Sequence, residues 1–488
     1  MGKQRLTFDK KTAIKLLVCI AIIVIFWIVP APAPITATGM KVIGIFISVI
    51  LMLSLVDTVW PAMLALVLLS RTGICTLNEA IAGSLGSWTI YFILMSFIMT
   101  HALNESGFTD RVVGKFMSIK FVTKSPWIFT FSLAFLGLFL GSFMDQVPAA
   151  AFMLAFCNRV YKELGYGSKD AYPKMANCMA IFSVNIGGAM TPISHALAII
   201  GISLYESITG EVMSLFTYLA FGVPTGIVLF ILMCVFFRFV FKPDMSKFKD
   251  FKIENVLKKQ SAMLLREKVT VIVFFVTVLM WIAPGVLSMF FSAPWISSFN
   301  SLGITFWAIL SVVAMAIINV DHAPIVNVKE VVNKNINWGI LLFISIGIYL
   351  GGIMSNDATG VVAAIRENII PLTEQVPPII TVLIIAATSV ILTNFASNVT
   401  TVTVMTSVSA ALAMGSGGAL NVPGLCMVAT MCGCCAYLFP SSFATIAMLH
   451  SDEYSGKKTI YGSAVVMIVI TILVITFVGY NMGSLITG

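Results

Sequence analysis

Apolar runs of about 18 residues or more recur along almost the whole chain, and no other feature constrains its fold as strongly. A run of that length crosses a hydrocarbon core of roughly 30 Å as a helix. Lipid offers no partner to backbone N–H and C=O groups, so a spanning segment is helical unless protein or water satisfies it. With 59% hydrophobic and 10% charged residues among 488, no separate soluble domain remains once the runs are counted. The chain reads as an all-α polytopic membrane protein. A net charge of +8, from 29 basic and 21 acidic residues, would suit nucleic acid or an anionic partner. The basic residues sit instead in short connections between apolar runs, which is a topology signal.

The first run, Ala13 to Val29, follows Lys3, Arg5, Lys10 and Lys11. It is long enough to span and has no convincing small-residue cleavage site, so it is kept as a helix rather than a leader. Further spans are expected at roughly 40–56, 58–70, 88–103, 173–204, 212–238, 269–291, 301–319, from Trp338 onward, 422–449 and 459–482. Two other stretches, 126–158 and 379–414, are paired apolar arms around a polar centre and read as re-entrant hairpins. The expected architecture is thus about 11 transmembrane helices plus two hairpins. Nine Lys/Arg residues between Arg238 and Lys268 mark the strongest cytoplasmic connection. Counting sides from there puts the N-terminus in the cytoplasm and the C-terminus outside. The chain divides into a first half (1–241), a cytoplasmic connection (242–268) and a second half (269–488).

The halves share anchors in one order. Trp88-Thr-Ile pairs with Trp338-Gly-Ile at an offset of 250, Asp145-Gln146-Val147 with Ser397-Asn398-Val399 at 252, and Pro192-Ile-Ser194 with Pro440-Ser-Ser442 at 248. Between the two Trp anchors an odd number of spans begins, so the repeat is expected to be inverted. Inverted repeats with paired broken segments point to a secondary transporter with its site at the midplane.

The polar residues inside these segments carry the chemistry. Hydroxyl and amide groups at bilayer depth line a polar cavity or serve as glue between helices. Gly-Gly and Pro weaken a helix, so Asn185–Ser194 is expected to unwind, and a second break is expected over Gly433–Ser442. A small anion is bound reversibly by hydroxyls, amides and helix N-termini without excess fixed charge. The candidates are Gln146, Thr191, Pro192, Ser194, Ser397, Asn398, Thr400, Pro440, Ser441 and Ser442. His195 selects substrate, titrates, or makes a structural hydrogen bond. Carbonyls freed at Gly187, Gly188 and Gly433 can serve a cation. Asp145 is an ionisable residue deep in an apolar hairpin. It supplies a carboxylate to a cation, exchanges a proton, or caps the second hairpin arm. Asp57 and His101 read as interfacial, Arg366 and Glu367 as a solvated helix face, and the nine cysteines as small core residues.

These residues resemble the divalent anion:sodium symporters of the ion transporter superfamily. The resemblance covers essentially the whole chain and rests on Trp338-Gly-Ile-Leu-Leu-Phe, Leu392-Thr-Asn-Phe-Ala-Ser-Asn398, Asn185-Ile-Gly-Gly and Thr191-Pro192. It implies transport of dicarboxylates, citrate or sulfate with sodium, or exchange of such anions, by elevator-like motion in a homodimer. It also implies a cation site at Thr393 and Asn398, beside the candidates Asp145, Gln146, Gly187, Gly188, Ala396 and Gly433. The family carries Ser-Asn-Thr at each hairpin tip. Here the second tip is Ser397-Asn398-Val399 with Thr400 one place later, and the first is Asp145-Gln146-Val147. Gly141 stands where the first half would need the hydroxyl matching Thr393.

The expected function is secondary active transport of a small anion, most readily a di- or tricarboxylate, with sodium or by anion exchange. Proton coupling through Asp145 to a different anion, or an anion channel, is the alternative. An enzyme is not expected, since no His-Glu-x-x-His or Gly-x-Ser-x-Gly occurs, and no phosphate loop supports a primary pump. No cofactor is expected beyond a coupling Na⁺, and the setting is a plasma or bacterial inner membrane.

Overall fold

The computed structural model describes all residues except 1–9, 58, 250, 252, 258–261, 292, 369–370 and 372–375. Lys3 and Arg5 lie outside the described residues, as does the side chain of Arg366. Local signals set most helix ends. Ser125 accepts a hydrogen bond from Ile128 N ahead of Pro126, and Asn421 does the same for Gly424 N ahead of Pro423. Each satisfies an amide that the first helical turn leaves free.

In chain order the helices are α1 (Lys10–Ile28), α2 (Ala37–Leu55), α3 (Trp60–Ser70), α4 (Leu77–Ser84), α5 (Trp88–Glu105), α6 (Phe108–Met117), α7 (Pro126–Phe143) and α8 (Gln146–Glu163). Then come α9 (Ala171–Met190), α10 (Ala196–Thr209), α11 (Leu215–Val240), α12 (Leu265–Phe290), α13 (Pro294–Ser301), α14 (Gly303–Ile317), α15 (Val328–Lys334) and α16 (Trp338–Met354). The chain continues through α17 (Val361–Asn368), α18 (Pro378–Phe395), α19 (Asn398–Gly415), α20 (Val422–Gly433), α21 (Ala444–Ser451), α22 (Lys457–Val474) and α23 (Tyr480–Thr487).

Among the described residues, eight helices are long and apolar enough to cross a membrane, or up to ten when the bent pairs α13–α14 and α15–α16 each count as one span. The expected count of eleven exceeds this because three of the expected spans are short or interrupted. The third is only Trp60–Ser70, and the fifth and tenth are each split in two. The connections are more ordered than the sequence suggests. The Gly107–Ser125 connection contains α6, and Arg111 on it pairs with the buried Glu267 at the start of α12. A two-residue ribbon, Asn319–Val320 with Ala323–Pro324, turns through Asp321 and His322, both at positive φ.

The repeat is visible as a repeated order of elements. A helix begins at Trp88 and again at Trp338; α7–α8 and α18–α19 each form two arms around a two-residue break; α9–α10 and α20–α21 are each a broken helix. The halves interlock, with α8 against α21 and α19 against α10. Polar side chains fasten the contact. Asn158 and Asn177 both donate to the carboxylate of Asp452, at 2.7 and 2.8 Å.

Candidate functional site

The first tip forms because α7 ends at Phe143 and Met144 continues in extended conformation. Asp145 then caps α8, its Oδ1 accepting from Val147 N at 2.9 Å. Of the roles expected for Asp145, capping is the one the geometry displays. Gln146 turns inward and is fully buried. Its Nε2 donates to Asn185 O at 3.1 Å and lies against Gly188, where an added Cβ would sit 1.8 Å away. Its Oε1 is buried without a partner.

The first break holds together through Thr191, whose Oγ1 donates to Ser142 O at 2.6 Å and lies 3.4 Å from Ser194 Oγ. Pro192, Ser194 and His195 share one narrow cavity with Asp145 and with Ser96 and Thr100 from α5. Its volume is about 20 Å³, room for one water and none for a carboxylate substrate. Ser96 Oγ and His195 Nε2 are buried there without a partner, and the His195 ring packs edge-on against Phe443 at 5.7 Å.

Gly187 and Gly188 do not unwind, contrary to expectation. The helix runs on through Met190 because these glycines let backbones touch: a Cβ on Gly187 would lie 2.1 Å from Leu138 O, and one on Gly141 2.2 Å from Val184 O. Packing of α7 on α9 compensates the poor helix propensity of Gly-Gly. Their carbonyls belong to the last turn of α9, where a helix leaves its C=O groups without intrahelical partners.

At the second tip, Ala396 is extended, its N–H donating to Leu392 O at 2.7 Å, and Ser397 precedes α19 without using its side chain as a cap. Buried Asn398 points back to Thr393, with Oγ1 and Oδ1 2.9 Å apart. Thr393 Oγ1 also lies 2.5 Å from Gly433 O, the last residue of α20. Three oxygens thus converge around one hydroxyl proton, and Asn398 Nδ2 is left buried without a partner. Thr400 reaches across to Ser54 on α2, oxygen to oxygen at 2.8 Å.

The second break falls where it is expected, between Gly433 at the end of α20 and Ala444 at the start of α21. Pro440 and Ser441 are exposed, and Ser442 turns back to donate to Phe439 O at 2.5 Å. Phe439, just before them, packs on Phe395 at the second tip with ring centres 5.0 Å apart. The segment Cys435–Leu438 is held by asparagines the sequence reading left unassigned. Asn394 Oδ1 accepts from Tyr437 N and Leu438 N at 2.8 and 2.9 Å, and its Nδ2 donates to Cys435 O at 3.3 Å. Asn185 donates to Ala436 O at 2.8 Å and accepts from Thr445 Oγ1 at 2.8 Å. Asn185 therefore links the first tip, through its carbonyl, to the second break, through its side chain. The available signal for both is an amide side chain inside an apolar run, three residues before Ser397 for Asn394 and two before Gly187 for Asn185.

Among the described residues no three His, Cys, Asp or Glu side chains converge to hold a metal. Cys432, Cys434 and Cys435 are buried, as expected of core residues. A cation here would be held by hydroxyl, amide and carbonyl oxygens, as suits a hard alkali ion.

Paired arms and paired broken helices in a multi-span frame define a secondary-transporter class of membrane protein. The CitMHS citrate transporter family matches residues 46–433, and the chain belongs to it. It is therefore a membrane transporter of carboxylate anions rather than an enzyme. The sodium-dependent dicarboxylate transporter SdcS of Staphylococcus saprophyticus is 26% identical over 418 residues, covering 82% of this chain and 78% of the relative. An uncharacterized transporter of Haemophilus influenzae is 22% identical, with 89% of each chain covered. In three dimensions the chain is similar to the Alcanivorax borkumensis YdaH transporter, with a TM-score of 0.59, 11% identity and 98% of both chains covered. That likeness concerns the fold.

Proposed function

We propose that the protein moves a di- or tricarboxylate together with a sodium ion, and that the ion sits among Thr393 Oγ1, Asn398 Oδ1 and Gly433 O. The observation that carries this reading is the surplus of lone pairs there. One hydroxyl proton cannot satisfy both neighbouring oxygens, at 2.9 and 2.5 Å. Turning the Asn398 amide over would supply a second donor, but it would leave Oδ1 buried and unpaired instead. A cation takes the oxygens and fixes the amide so that Nδ2 stays free for an anion. Sodium thus prepares the substrate contact, and cation binding precedes the carboxylate.

Ser397 and the amides opening α19 stand beside Asn398 Nδ2, and a helix N-terminus favours an anion. At the first tip the Asp145 carboxylate repels one, so the substrate leans on the second tip, with Gln146 and Thr191 on the far side. In the same proposal the two hairpins and broken helices move as one body in each half of a homodimer. The N-terminus is cytoplasmic and the C-terminus outside.

The test is uptake of labelled citrate and succinate into proteoliposomes under a sodium or a proton gradient. Sodium-driven uptake whose half-saturating sodium concentration rises at least tenfold in Thr393→Val is expected. A second reading, proton coupling at Asp145, is favoured by the cavity it shares with the unpartnered Nε2 of His195. Proton-driven uptake that ignores Thr393→Val and disappears in Asp145→Asn would replace the first reading with the second.

A further inference from the structure

A cavity of about 460 Å³ lies well away from both tips, between the far end of α10, the start of α11, and α12 and α14. Its size falls within the ~300–1,000 Å³ of small-molecule sites. Trp88, Trp281, Phe299 and Trp307 line it. Two of these walls are fixed: Trp281 Nε1 donates to Ile304 O at 3.0 Å, and Phe299 packs on Trp307 with ring centres 5.2 Å apart.

Half-buried Glu206 lines the same half-open cavity. One of its oxygens accepts from Met213 N at 3.2 Å. Among the described residues no Lys, Arg or His lines the cavity and Glu206 forms no ion pair. A partly desolvated carboxylate without a counter-charge takes up a proton or pairs with a cation, and the aromatic faces favour the cation. An acyl chain would fill the apolar walls yet leave the carboxylate unpaired.

We propose that this cavity binds an organic ammonium ion with an apolar body, its charge at Glu206 and its body among the tryptophans. The same chemistry exists in soluble amphiphilic amines and in amine-bearing lipid headgroups. The site is independent of the substrate and coupling ion proposed above. It bears on transport through α10, which starts immediately after His195 and carries Glu206 about 15 Å further along. An occupant would tie α10 to α12 and α14.

The experiment uses the full chain in nanodiscs of phosphatidylglycerol, which has no amine, titrated with benzyltrimethylammonium while tryptophan fluorescence is followed. A saturable change is expected, with affinity at least tenfold weaker in Glu206→Gln and intermediate in Glu206→Asp. Neopentylbenzene, the neutral isostere, should bind the unaltered protein at least tenfold more weakly, a comparison that no folding defect can imitate. Equal binding of the two compounds, or equal affinity in Glu206→Gln, would overturn the proposal. Weakening of the response by added phosphatidylethanolamine would identify the headgroup as the source, and no weakening would identify soluble amines.

Discussion

At the second tip Thr393 reaches both Asn398 and the carbonyl of Gly433, whereas at the matching place in the first half stands Gly141, with no side chain to reach anything. The missing side chain has been used for packing. Gly141 and Gly187 bring α7 and α9 into backbone contact, and Gln146 fills the space over Gly188. The breaks differ in the same sense. Residues Cys435–Leu438 are fastened by Asn394 and Asn185, while among the described residues no side chain hydrogen-bonds to the backbone of residues 192–195. Duplication of a frame thus preserved where the breaks fall but not what each can hold. One tip keeps an oxygen-rich pocket; the other is packed shut with a carboxylate at its mouth.

The largest expected effect comes from forcing the halves to match. Gly141→Thr would restore the missing hydroxyl, but its Cβ would meet Val184 O at 2.2 Å, and a backbone oxygen cannot move aside as a side chain can. Loss of the folded peak in size-exclusion chromatography is expected. A folded variant with steeper sodium dependence would show that the first half can still accept the second half's chemistry.

Next in size is the asparagine clamp. Asn394→Ala strips partners from three backbone groups of the second break at once, two amides and one carbonyl. At ~1–3 kcal/mol for each buried group left unsatisfied, discounted for water entry, a loss on the order of 3 kcal/mol is expected. A melting curve checks it, and a drop no larger than that of Ser442→Ala would mean the segment does not depend on Asn394. Thr393→Val is smaller in energy, since a tenfold change in sodium dependence corresponds to about 1.4 kcal/mol. Its folding should also lose about 1 kcal/mol, because Val leaves the buried Gly433 carbonyl without its hydroxyl donor although the methyl groups occupy nearly the same volume.

The contrast between the tips also marks what the sequence makes legible. Helix starts at Trp88 and Trp338, arms meeting at Asp145 and Ser397, and breaks near Pro192 and Pro440 follow from local signals: length, hydropathy, Pro and Gly. The same local reasoning fails at Gly187-Gly188, where the cost of glycine in a helix is outweighed by α7 lying against it. Trp60–Ser70 is a helix of 11 residues, and an apolar run in the sequence looks the same whether it crosses or stops short. The roles of Asn185 and Asn394 are illegible in the sequence for another reason. Their partners lie up to 260 residues away along the chain, and periodicity carries no information about such pairs.

The smallest expected effect isolates the charge at the first tip from its geometry. Asp145 caps α8 through an oxygen that Asn also possesses, and Asn and Asp cap helices about equally well. Asp145→Asn should therefore change stability by no more than a few tenths of a kcal/mol, while Asp145→Ala should lose about 1 kcal/mol. Any larger effect of Asn on transport than on melting then belongs to the carboxylate's charge. If sodium occupies the second tip, that charge acts only by keeping the substrate away from the first. Removing it would tighten or leave unchanged the half-saturating citrate concentration, and the sodium dependence would stay as it was. A sodium dependence that shifts in Asp145→Asn but not in Thr393→Val would invert the comparison and move the cation to the tip that looks closed.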